Sequence, residues 1–232
     1  RPWYSFTRGG LCTEAMNGIE DQYPYPCQVL FTFFFNPVYS IPGGTRYIET
    51  LKDVKKVPLH VSIDVCINES NLYADYIVPD LTWLEGKYSF MGPHAPALQF
   101  STVRVPALKP LTKQTQDGRP YCMETFLIDL AEYLHLPGFG ENAIPGNNGT
   151  QYPLHTAEDY YVRALANLAK NANVRKATGQ EQTFVEQNYP IASYKSLLTH
   201  EEWASVCTIL AHGGVFTKSY EDLFVNGAHT KG

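Results

Sequence analysis

The sequence has no apolar run long enough to cross a membrane; the longest, 29–35, is about a third of what a spanning helix needs. It has no G-x-G-x-x-G, which removes the glycine signature of an ordinary nicotinamide site. No G-x-S-x-G surrounds a serine, so the nucleophile setting of many hydrolases is missing. Its seven histidines never fall at i, i+3 or i+4, which excludes a helical zinc pair. Its five cysteines, odd in number and widely spaced, form neither a disulfide framework nor a zinc pattern. Basic residues are outnumbered, 18 against 23, and the net charge of −5 argues against a nucleic-acid partner or an anionic membrane surface. Repeats and low-complexity tracts are absent.

What is present is the material of a globular core. The chain has 232 residues, 44% apolar and 18% charged, enough to fold without disulfides or metal as one large domain or two small ones. Cys66 and Cys122 stand among apolar neighbours and read as small core residues. The chain opens on Arg1-Pro2-Trp3-Tyr4, without Met and without a signal-peptide pattern, and reads as an internal piece of a longer polypeptide.

Residues 1–26, with Gly9, Gly10, Pro24 and Pro26, read as an irregular approach segment. The run 27–35 has the pattern of a strand buried on both faces, stopped by Asn36-Pro37-Val38-Tyr39-Ser40 and then Pro42-Gly43-Gly44. Helical spacing follows from Thr45, with Tyr47, Ile48 and Leu51 on one face. A second strand over 57–63 ends at Asp64, a short helical stretch covers 69–73, and a third strand, 76–78, closes at Pro79-Asp80. This rhythm predicts an α/β fold: a parallel βαβ (Rossmann-like) sheet flanked by helices. Residues 100–118 read as extended and polar, and 121–134 as an amphipathic helix. Residues 137–154 read as a Gly/Pro/Asn-rich loop. The remainder is a mostly helical C-terminal insertion, with capping boxes at Thr156/Asp159 and Thr199/Glu202 and a stop at Gly213-Gly214. The boundaries are therefore 1–26, 27–136 for the α/β domain, and 137–232 for loop and insertion.

In an open parallel sheet, ligands bind outside the carboxyl ends of the strands. Asn36, Tyr39 and Ser40 supply donors at that place, beside the start of a helix, and make a phosphate or ribose cradle; a plain helix-capping turn is the other reading. Asp64 ends the second strand, where a carboxylate, acceptor-only with two oxygens, suits the paired donors of a diol or of the guanine edge. The competing reading has Asp64 capping the short helix after it. Asp75, Asp80 and Glu85 share no face and read as solvated ends or local caps. His60, alternating within a strand, reads as a packed or hydrogen-bonded side chain. The two sequons, at Asn68 and Asn148, carry no weight, and no residue reads as catalytic or as a metal ligand.

The order and spacing of Asn36-Pro37, of Val61-Ser62-Ile63-Asp64, and of Glu69-Ser70 through Ala74-Asp75, Pro79 and Glu85 resemble the molybdopterin oxidoreductases of the dimethyl-sulfoxide-reductase superfamily. Segments at 93–98, 118–126, 136–145 and 209–216 are similar to the branch that reduces sulfur oxyanions such as tetrathionate. The resemblance implies a catalytic subunit carrying molybdenum on two molybdopterin guanine dinucleotides, with an iron–sulfur (4Fe-4S) cluster outside this chain. It also implies two partners, an iron–sulfur electron-transfer subunit plus a membrane-anchor subunit, and a place on the periplasmic side of the cytoplasmic membrane. It puts Asn36 at the nucleotide-facing turn, Ile63 and Asp64 at the contacting strand end, and Glu124 at an acidic cofactor contact at a helix start. Where many relatives have Lys after the residue matching Glu85, this chain has Gly86. No counterpart of the molybdenum ligand or the cluster cysteines is present. Related reductases of arsenate, thiosulfate or polysulfide, and a non-catalytic nucleotide-binding or interaction domain, are the alternatives.

Overall fold

A computed structural model describes residues 12–86, 89–91, 99–146, 149–218, 224–226 and 228–229; residues 1–11 of the approach segment, the 93–98 segment and Asn148 lie outside them. The fold is α/β. Contacts divide the chain into two compact units, 1–81 with 112–126, and 82–111 with 127–232. These lines differ from the boundaries read from the sequence, because residues 82–111 pack with the C-terminal segment.

The first unit is built on a parallel sheet in the order β1 (Leu30–Phe33), β2 (His60–Asp64), β3 (Tyr76–Pro79). All five residues of β2 are buried, as a central parallel strand covered on both faces requires. Phe33 pairs with Ile63, and Ile63 with Val78. Val61, Ile63 and Val78 form an apolar cluster with Met123 and Phe126, from the first turn of helix α3 (Met123–Tyr133). By alternation, Thr32, His60 and Ser62 face the other way. There the β1–β2 crossover runs through a 3₁₀ turn (Gly44–Tyr47) and a short helix, α2 (Ile48–Lys52). The stretch read as irregular contains a helix, α1 (Cys12–Glu20). It is held by a tertiary contact rather than by periodicity: Met16 is buried against Val38, Tyr47 and Leu51.

The second unit combines strands β4 (Ser89–Met91) and β5 (Gln99–Arg104) with the later part of α3, then β6 (Gly140–Pro145) and β7 (Gln151–Leu154). Helices α4 (Ala157–Asn171), α5 (Gly179–Asn188) and α6 (His200–His212) follow, then β8 (Gly214–Lys218), β9 (Phe224–Val225) and β10 (Ala228–His229). β4, β5 and β8 make an antiparallel sheet, and β6 and β7 a hairpin where the sequence reads as loop. Pro145, Pro153 and Gly140, whose φ is +83°, mask the strand pattern there. Both expected capping boxes form, and a third, Thr178/Glu181, opens α5. The buried face of α4 is Val162, Leu165, Ala166 and Ala169, packed with Val185, Val206 and Leu210. Arg163, 5% exposed, crosses this core with two bonds of 3.1 Å to Glu202, its guanidinium carbon 3.9 Å from the centre of the Tyr152 ring. His155, just after β7, has Nδ1 2.8 Å from Glu132 and Nε2 3.3 Å from Glu141. The hydrogen bond to Glu132 raises its pKa above the usual imidazole value.

Gly44 positions the turn that leads to the candidate site. A Cβ there would run into the Pro37 carbonyl oxygen and lie 2.6 Å from that of Val38. Gly44→Ala is expected to destabilise the protein by about 1–3 kcal/mol, the range for overpacking, read as a lower urea midpoint at unchanged m-value.

Candidate functional site

The carboxyl end of the parallel sheet gathers three of the expected regions within the first unit. Asp64 ends the central strand and is 9% exposed. Its Oδ1 accepts from the Val65 amide at 2.8 Å and its Oδ2 from the Asn68 side-chain amide at 2.9 Å. A carboxylate oxygen has two lone-pair directions, so each of these keeps one for a further donor. Neither donor belongs to the 3₁₀ turn Asn71–Tyr73 that follows, whose first amides go to Asn68 Oδ1, so Asp64 does not cap it and keeps acceptor capacity at the strand tip.

The Asn36 turn follows β1 beside it. Asn36 is engaged within the protein: Nδ2 donates to Glu69 at 2.6 Å and Oδ1 accepts from the Ser70 hydroxyl at 2.5 Å. Its carbonyl accepts from the Ser40 amide (2.8 Å) and hydroxyl (2.5 Å), closing the turn. Tyr39, 66% exposed, stands out from it. Ile63, 2% exposed, turns its side chain into the apolar cluster, so only its backbone reaches the strand end.

Glu124 lies in the first turn of α3, grouped with Asp80 and Cys122, with a ligand atom of each within 4.8 Å of the others. Asp80 is next to Asp64 through the backbone, its amide donating to the Asp64 carbonyl at 3.0 Å. Its Oδ1 accepts from the Met123 amide at 3.0 Å, a carboxylate at a helix start where free N–H groups and the dipole favour it. Asp75 likewise takes the His60 amide at 2.8 Å, and Glu85 the amides of Thr82 and Leu111, both at 2.9 Å. The hydrogen bonding from Thr82, then that from Leu111, holds the Glu85 carboxyl below the usual range. The three acids read as ends or caps are therefore backbone anchors, and Asp80 and Glu85 are buried rather than solvated. Cys122 is buried as expected, whereas Cys66 is exposed: its neighbours Val65 and Ile67 are themselves 42% and 70% exposed, on the loop leaving β2.

Sequence reasoning missed Asn68, Ser70 and Asn71 as site residues. Ser70 and Asn71 are 0% and 1% exposed. Asn71 donates to Ser62 Oγ, which accepts from Thr32 at 2.9 Å; the Thr32 hydroxyl is also 2.9 Å from His60 Nε2. Ser70 Oγ accepts from the Val38 amide at 3.1 Å. The signal that could have found them is a run of short polar residues directly after a strand-terminal Asp, a composition suited to side-chain-to-backbone bonding.

No family model matches the chain. It is 39% identical over 248 residues to a tetrathionate reductase subunit of Archaeoglobus fulgidus, covering 100% of this chain and 22% of that protein. It is 37% identical over 219 residues to the corresponding tetrathionate reductase subunit of Salmonella typhimurium (93% and 21%), and 33% over 244 residues to a selenate reductase subunit of Mesobacillus selenatarsenatis (97% and 23%). The chain belongs to the molybdopterin oxidoreductases. It spans about a fifth of the length of these curated relatives. Of the segments that carry the resemblance, those from Asn36 to Pro79 run through the hydrogen-bonded strand end, and Glu85 lies in the second unit.

Burial lowers the pKa of His60, against the opposing pull of the Tyr73 backbone and the Asp75 charge. Above the usual value of 6.5, folded and unfolded forms are both neutral; below it, the unfolded chain takes a proton that the folded one resists. Stability contributed by this site is thus complete above that pH and falls as acid is added. Between about pH 7 and pH 5, urea midpoints should decline more steeply in the wild type than in His60→Gln, which lacks the titration.

Proposed function

We propose that this chain is part of the catalytic subunit of a molybdenum-dependent reductase that converts tetrathionate to thiosulfate, and that this part holds the guanosine end of a molybdopterin guanine dinucleotide. The observation that carries the reading is the Asp64 carboxylate at the carboxyl end of the central strand, with one acceptor direction open on each oxygen. That donor–acceptor match fits the group: the guanine edge offers N1–H and N2–H side by side, and a ribose offers a diol. The Asn36 turn is the second wall, with Tyr39 as its outward donor and Ser40, whose hydroxyl and amide both donate to the Asn36 carbonyl, holding it closed, and Ile63 contributes backbone. Glu124, beside Asp80, borders the other side of the strand ends. When bound, the molybdenum supplies two-electron redox chemistry; these residues bind and orient its nucleotide tail.

The substrate is supported by the names of the two tetrathionate reductase relatives. The same reading includes a second dinucleotide and a 4Fe-4S cluster outside this chain, electron-transfer and membrane-anchor subunits, and a periplasmic location. Titration calorimetry with GDP tests the site. Asp64→Asn should weaken binding about ten- to a hundredfold, the loss of about 1.5–3 kcal/mol expected when a charged hydrogen-bond acceptor is removed. Equal affinity in the two proteins would make Asp64 a bystander and end the cofactor reading.

A further inference from the structure

Carboxylate torsions are broad, and a carboxylate at a strand tip has many orientations open to it. At Asp64 one is selected. Asn68 Nδ2 holds Oδ2 at 2.9 Å while the Val65 amide holds Oδ1 at 2.8 Å. Asn68 is itself fixed from three directions: its Oδ1 accepts from the Ser70 and Asn71 backbone amides at 2.9 and 3.1 Å, and its backbone N–H donates to Asn71 Oδ1 at 2.5 Å. Asn71 is in turn bonded to Ser62, and Ser62 to Thr32, inside the sheet. The direction of the Asp64 carboxylate is therefore referred to the buried strands and not to solvent.

We infer that Asn68 is a positioning residue for the nucleotide site, turning the Asp64 carboxylate so that its open lone pairs face outward at the strand ends. This rests on the reading of Asp64 given above and adds a source of base selectivity to it. A carboxylate aimed this way accepts two parallel donors from guanine; adenine carries no N1–H to offer it. Selectivity for guanine over adenine then depends on the amide that does the aiming.

Asn68→Asp separates positioning from loop structure. It keeps the Oδ1 acceptor for the Ser70 and Asn71 amides and replaces the donor to Asp64 by a second acceptor. In calorimetric titrations of the protein with GDP and ADP, GDP affinity should fall about five- to tenfold, the loss from one misdirected hydrogen-bonding partner. ADP affinity should hold, whatever the repulsion between the two acids takes from the thermal midpoint. In an Asp64→Asn background, Asn68→Asp should cause no further loss, because the group it acts through is gone. Should repulsion between the two acids prevent folding, Asn68→Ser, which retains an acceptor for the loop amides but is too short to reach Asp64, is read the same way. Wild-type GDP affinity in the Asn68 variant, equal losses for GDP and ADP, or losses that multiply in the double variant would each overturn the inference while leaving the Asp64 reading intact if Asp64→Asn alone weakens GDP. If Asp64→Asn changes nothing, both fall.

Discussion

The first unit depends on a chain of side-chain hydrogen bonds running from the middle of its sheet into the loop beyond β2. His60, Thr32, Ser62, Asn71 and Ser70 are each at most 2% exposed. Burying polar groups costs free energy unless partners are found, and Thr32, Ser62, Asn71 and Ser70 are bonded to one another or to the Asn36 turn. Apolar side chains of similar size would fill the space equally well. They would not specify which loop atom meets which strand, and it is that registry which sets Asn36 and Asp64 at adjacent strand ends.

The second unit meets a different demand. A 3₁₀ helix, Pro190–Leu197, links α5 to α6, and each of the three long helices begins with a reciprocal Thr–acid cap. Removing one Thr hydroxyl leaves an unpaired helix amide, a loss typically near 1 kcal/mol. Arg163 is a costlier element, a charge 5% exposed, tolerated because Glu202 meets it with two oxygens and Tyr152 covers its face. Glu202 is also the acid of the α6 cap, so one carboxylate ties a helix start to a buried guanidinium.

Much of this was legible in the sequence where the signal is local. The three parallel strands announce themselves by apolar runs closed by Pro, Asn and Asp, and Asp64 stands at a strand end because the pattern stops there. Two Thr caps could be read directly. Helix α1 could not, since Met16 is ordered by Tyr47 and Leu51, far along the chain. Helix α5 buries Val185 and little else, so it lacks an apolar stripe. Cys66 is exposed despite its apolar neighbours in sequence, because Val65 and Ile67 lie on a surface loop and pack no core around it. Asn68 and Ser70 were visible as letters, yet their meaning lies in partners at Asp64 and Asn36, and no spacing rule brings those together.

His155 has a consequence of its own. A base whose protonation is favoured by folding lends stability below its unfolded pKa of 6.5 and withdraws it as alkali is added, the reverse of His60. With Glu132 on one ring nitrogen and Glu141 on the other, it is the protonated, doubly paired ring that fastens the β6–β7 hairpin to α3. Mild acid therefore tightens this clasp while it loosens the parallel sheet, and the two units answer the same proton in opposite senses.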